Sequence, residues 1–180
     1  MLDPGLQFSS MMNSPDAHLA VYLNDHLAGA AAALEILDSF QHSENPGLEK
    51  FATSLRAAIL EDRDELTRLM AAAGIAASPV RRAFGWVAEK TAELKLKVDD
   101  PADSGLRTFE LLEIVALGID GKRALWAVLR SIAEVVPALR SADYSLLARR
   151  ADDQRATVEA RRLEWASGAF TAKGANDQVE

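Results

Sequence analysis

The chain has no cysteine, three histidines and few aromatic residues, 6% of its 180 positions. Without thiols there are no disulfides, no Cys-ligated zinc or iron–sulfur centre and no cysteine nucleophile. Ten glycines and six prolines are too few for a collagen-like or low-complexity chain. Positive charge is the scarcer sign, with 20 Lys and Arg against 27 Asp and Glu and a net charge of −7. That balance argues against a basic face that grips nucleic-acid phosphates. No stretch reaches the roughly 18 uncharged apolar residues of a membrane span. The most Ala-rich run, Leu27 to Leu34, is followed at once by Glu35 and Asp38. A basic region leading into an apolar block is missing from the start, so no secretory signal is read there. Together with the missing thiols, this predicts a cytoplasmic protein without nucleic-acid or membrane partners.

What is present is helix-forming material. The 49% hydrophobic content excludes a disordered chain. Apolar residues recur at helical spacing throughout, and Ala, Leu, Glu and Arg dominate. Five helices are expected, over about 16–41, 48–73, 78–98, 104–136 and 141–169. Pro15 enters the first helix, Gly74 caps the second, and Ser78 with Pro79 opens the third. Short loops between long helices predict an all-α, up-down antiparallel bundle forming one domain over residues 16–169. Residues 1–15 read as a flexible arm and 170–180 as a flexible tail.

Polar residues interrupt the apolar stripes at a few positions. Asp62 falls in the series Leu55, Ile59, Asp62, Leu66, Leu69, and Lys122 falls between Ile119 and Trp126. His26 adjoins Leu23 and Leu27, and Gln154 or Arg155 sits between Ala151 and Val158. Buried unpaired, such groups cost several kcal/mol, so they are expected to meet partners. Counting residues outward from each turn puts His26, Asp62, Glu89 and Glu113 in one layer. The same counting puts Lys122 in another layer, opposite Thr157. Acidic pairs three residues apart, such as Asp62 with Glu65, add carboxylates that could hold a hard cation. The candidate ligand-binding set is therefore His26, Asp62, Glu65, Glu89, Glu113 and Lys122.

Other chemistry finds no footing. There is no Gly-x-Ser-x-Gly elbow, and Gly118-Ile-Asp-Gly121-Lys122 lacks the phosphate-loop spacing. Its two glycines are expected to permit close helix approach or a kink. Arg149-Arg150 and Arg161-Arg162, interleaved with acids, read as an ion-paired, solvated face. Trp86, Trp126 and Trp165 read as core or interface anchors.

Four segments carry a resemblance to the ferritin-like superfamily: Tyr22-Leu-Asn-Asp-His-Leu-Ala-Gly29, Glu61-Asp-Arg-Asp-Glu65, Ala88-Glu-Lys90, and Leu112-Glu113 through Gly121-Lys122 to Trp126. The resemblance spans most of residues 20–165 and concerns helix plan and segment character. It implies a ferritin-like bundle and, for the di-iron members, oxidase or iron-storage activity built on Glu-x-x-His pairs. Here the residues three before His18, His26 and His42 are Pro15, Leu23 and Ser39. The expected function is thus a ferritin-like protein with a binding or assembly role, a homodimer, and no complete catalytic site. The alternative is an atypical Fe or Mn site made of carboxylates and histidine inside the bundle.

Overall fold

The computed structural model describes residues 15–78 and 104–171. Among them lie four helices and no strand: α1 (Pro15–Phe40), α2 (Pro46–Ala72), α3 (Ser104–Ile132) and α4 (Tyr144–Thr171). A single 3-10 turn, Pro137–Leu139, joins the last two. The all-α class is therefore as read. The helix expected over 78–98, with Glu89 and Trp86, falls outside the described residues apart from Ser78.

Local chemistry sets the helix ends. Asn45 caps α2, its side-chain oxygen accepting from the backbone N–H of Gly47 and Leu48, and Pro46 occupies the first helical position. At the other end Gly74 takes a φ of 71°, the left-handed conformation in which glycine carries no Cβ penalty. The N–H of Ile75 then returns to Met70 O and that of Gly74 to Ala71 O, satisfying carbonyls the helix leaves open. The helix expected to reach Val136 ends at Ile132. Pro137 disfavours helical backbone at the residue before it, and Val136 is non-helical, with φ −117° and ψ 87°. The Arg140 guanidinium covers the freed carbonyls of Ala133 and Glu134. α4 begins three residues later than expected because Asp143 caps it, accepting from the Leu146 N–H at 2.9 Å.

Ion pairs and hydrogen bonds give the helix directions. Along α3, Glu113, Asp120, Lys122 and Arg123 meet Arg162, Arg155, Gln154 and Asp152 of α4 in descending order, so the two helices are antiparallel. Asp38 with Arg56 and Gln41 with Thr53 do the same for α1 and α2. Phe51 under Arg161, Glu61 with Arg150 and Arg68 with Ser141 set α2 antiparallel to α4. α2 and α3 consequently run parallel.

α3 and α4 form the most extensive pair, whereas α1 meets α3 more loosely. The core between the helices is built from Leu23, Leu37, Leu69, Met70, Leu112, Val115, Leu125, Trp126, Leu129 and Val158, all essentially inaccessible. Burying each large apolar side chain contributes about 1.5–3 kcal/mol.

A candidate ligand-binding cleft

Asp62 occupies the inward stripe of α2 and is only 2% exposed. Its Oδ2 accepts a hydrogen bond from Lys122 Nζ of α3 at 2.6 Å and another from Gln154 Nε2 of α4 at 2.9 Å. Lys122 Nζ also donates to Gln154 Oε1, which closes a triangle across three helices. Arg150 Nη2 lies 3.0 Å from Asp62 Oδ1, yet its hydrogen bond is directed to Glu61 Oε2 at 2.7 Å. Oδ1 thus has an ion pair but no aligned donor. Burial holds the Lys122 ammonium below the usual lysine range, and the neighbouring Asp62 charge opposes that shift. Lys122 and Arg150 balance Asp62 and Glu61, so the cluster as a whole carries no surplus charge.

A cleft of about 180 Å³ opens between α1, α2 and α3. Its walls are Gly29, Ala30 and Ala33 of α1, Ile59 and Leu66 of α2, and Gly118, Gly121, Leu125 and Trp126 of α3. Among the described residues, His26, Asp62, Arg63 and Lys122 are the titratable groups on its lining. The His26 ring packs edge-on against Tyr22 with centroids 4.7 Å apart. Burial pushes its pKa below the usual histidine value, with Asp25 pulling the other way. Arg63 is paired with Asp64 at 2.9 Å.

The glycines of α3 do not serve helix approach. At Gly118 and Gly121 no atom of the described residues beyond α3's own backbone lies within 4 Å of the place a Cβ would take, and α3 runs through both as one helix. Neither has a positive φ. A mid-helix glycine costs about 1 kcal/mol relative to alanine. What these two do is leave the cleft wall low.

Of the six candidate residues, His26, Asp62 and Lys122 come together on this cleft. Glu113 does not. It pairs with Arg162 of α4 at 2.9 Å, with its side chain 46% exposed. Nine residues separate it from Lys122, about 13 Å along α3. Glu65 takes Arg68 as partner at 2.7 Å, and that hydrogen bond lowers its pKa. Glu89 lies outside the described residues. The expected layer therefore needs correcting, since Lys122 rather than Glu113 stands level with Asp62. Counting from turn to turn accumulates about one helical turn of error per step, and the path from Asp62 to Glu113 took two steps. The partner of Lys122 on α4 is Gln154, one turn from the expected Thr157.

Arg150 escaped the sequence reading because its Arg-Arg context looked solvated. Its spacing of four from Gln154, on the same face, was the available signal. Asn24, buried beside Leu23, was missed too. Its amide donates to Ala20 O and Ala76 O, and its Oδ1 accepts from the Ser78 N–H, tying the segment after α2 to α1.

Among the described residues no group of three or more His, Asp or Glu side chains is placed to hold a metal ion. The position beside Asp62 that a cation would take is filled by the Lys122 ammonium. Comparison of the chain with protein-family models, with curated proteins and with solved structures finds no match to any of them.

Proposed function

We propose that the chain is a helical-bundle binding protein on the ferritin-like, up-down plan, without a complete catalytic site, and that the α1–α2–α3 cleft is where it binds. The observation that carries this reading is an apolar cleft of about 180 Å³ beside a buried polar cluster whose members are already bonded to one another. Concave, mainly apolar sites with a few fixed polar groups are the usual form of small-molecule sites. Binding is favoured over proton-transfer chemistry because the acid and the base of the cluster are hydrogen-bonded to each other. Asp62 accepts from Lys122 and Gln154, and Lys122 donates to both.

Assembly as a homodimer belongs to the same reading. It is supported by the exposed apolar side chains Leu163 and Phe170 on α4.

The test is a thermal-unfolding screen of a diverse small-molecule set, with protein purified without chelator and assayed for metal. A ligand that prefers the folded state raises the midpoint. Stabilisation by an organic compound, lost when the cleft is filled by mutation, supports the reading. A full equivalent of bound Fe or Mn, with no organic ligand, replaces it with a metal-binding role.

A further inference from the structure

Gly118 and Gly121 sit in the middle of α3, where glycine is the least favourable residue after proline. Neither needs a left-handed backbone, and among the described residues neither adjoins an atom that a Cβ would strike. Their effect is to widen the cleft across from Ala30 and Ala33. The resulting volume of about 180 Å³ compares with roughly 150 Å³ for an apolar cavity that admits benzene.

Charge narrows the class of occupant. Asp62 is neutralised by Lys122 at 2.6 Å, Arg150 by Glu61 at 2.7 Å, and Arg63 by Asp64 at 2.9 Å. An ion entering among Ile59, Leu66 and Trp126 would lose its water without gaining a free counter-ion among the described residues. An uncharged ring loses little water and gains apolar contact on several sides.

We infer that the cleft takes an uncharged, largely apolar molecule the size of a single ring, of the class of phenol or cyclohexanol, held between the Ala30–Ala33 wall and the Gly118–Gly121 wall. His26 is the polar side chain of the α1 wall and the hydrogen-bonding partner for the hydroxyl of such a molecule. This inference rests on the reading of the cleft as a binding site and adds the chemistry of its ligand.

The experiment measures thermal midpoints of the full chain with phenol, cyclohexanol, benzoate or benzylammonium at equal concentrations. It is repeated on Gly121→Leu, which fills the cleft from α3, and on Ala33→Leu, which fills it from α1. Circular dichroism checks that each variant folds, so either one suffices if the other does not. Phenol and cyclohexanol are expected to raise the midpoint by about 3 °C or more at tenfold excess over the dissociation constant. Benzoate and benzylammonium are expected to give less than a third of that rise, and the filled variants should lose the response. If a charged probe stabilises as well as phenol and the filled variants abolish its effect, the ligand class is wrong while the cleft remains a site. Should no probe raise the midpoint, the reading of the cleft as a site falls with it. A neutral-ring response that survives both fillings places binding elsewhere and overturns the inference.

Discussion

Lys122 Nζ on α3 and Asp62 Oδ2 on α2 stand 2.6 Å apart, between two parallel helices. Asp62 is 2% exposed and the Lys122 side chain 15%. Removing Asp62 leaves the Lys122 ammonium buried without its counter-ion, and removing Lys122 leaves the buried Asp62 with Arg150 at 3.0 Å as its remaining cation. Asp62→Ala or Lys122→Ala should each lower stability by about 3–5 kcal/mol in urea unfolding. The double variant should cost clearly less than the two single costs combined, because the interaction between the two side chains can be lost only once. Costs below about 1 kcal/mol for both single variants would show that the pair is not held in the core.

Glu159 gives the first pH prediction. Hydrogen bonds from Arg162 and Arg155 lower its pKa from 4.5 to about 2. A carboxylate depressed in this way adds stability above its unfolded value, and that stability is lost as the pH falls from about 4.5 towards 2. Glu159→Gln should therefore flatten the decline of the unfolding midpoint over that window. An unchanged slope would mean that Arg155 and Arg162 do not hold Glu159 in solution.

His26 acts at higher pH and with the opposite kind of group. Burial lowers its pKa from 6.5, so near the neutral range the unfolded chain binds the proton more readily than the folded one. Stability should then rise with pH as the window between the folded value and 6.5 is crossed, and level off above it. His26→Gln should remove that part of the rise, measured by urea titration at pH 5 and pH 7.5. A variant as pH-sensitive as the parent would place His26 in water.

The glycines of α3 yield a gain rather than a loss. Gly118→Ala and Gly121→Ala add a methyl group where nothing among the described residues lies within 4 Å outside α3's own backbone. Each should stabilise the protein by about 1 kcal/mol, from helix propensity alone. Destabilisation would reveal a neighbour pressed against α3 at that point.

The helices themselves could be read from the sequence because periodicity is a local property. The stripes of Leu55, Ile59, Leu66 and Leu69 and of Leu112, Val115, Ile119 and Trp126 are indeed the buried faces. Asp62 stood out for the same reason, as a carboxylate in an apolar series. Which residue faces it was harder to foresee. Lys122 is 60 positions away, and its level depends on the direction and offset of helices that local spacing does not encode. The cleft was less legible still. A cavity is made by what side chains leave empty, and Gly118 and Gly121 look the same in sequence whether they admit a neighbouring helix or admit nothing.

The triangle of Asp62, Lys122 and Gln154 also constrains how this protein can change over generations. Leucines around it can be exchanged one at a time, since their partners tolerate small shifts of shape. A slide of α3 by one turn, about 5.4 Å, would carry Lys122 away from both of its acceptors at once. A change at any one of the three polar positions therefore leaves the other two short of a partner, beside the hollow that Gly118 and Gly121 border.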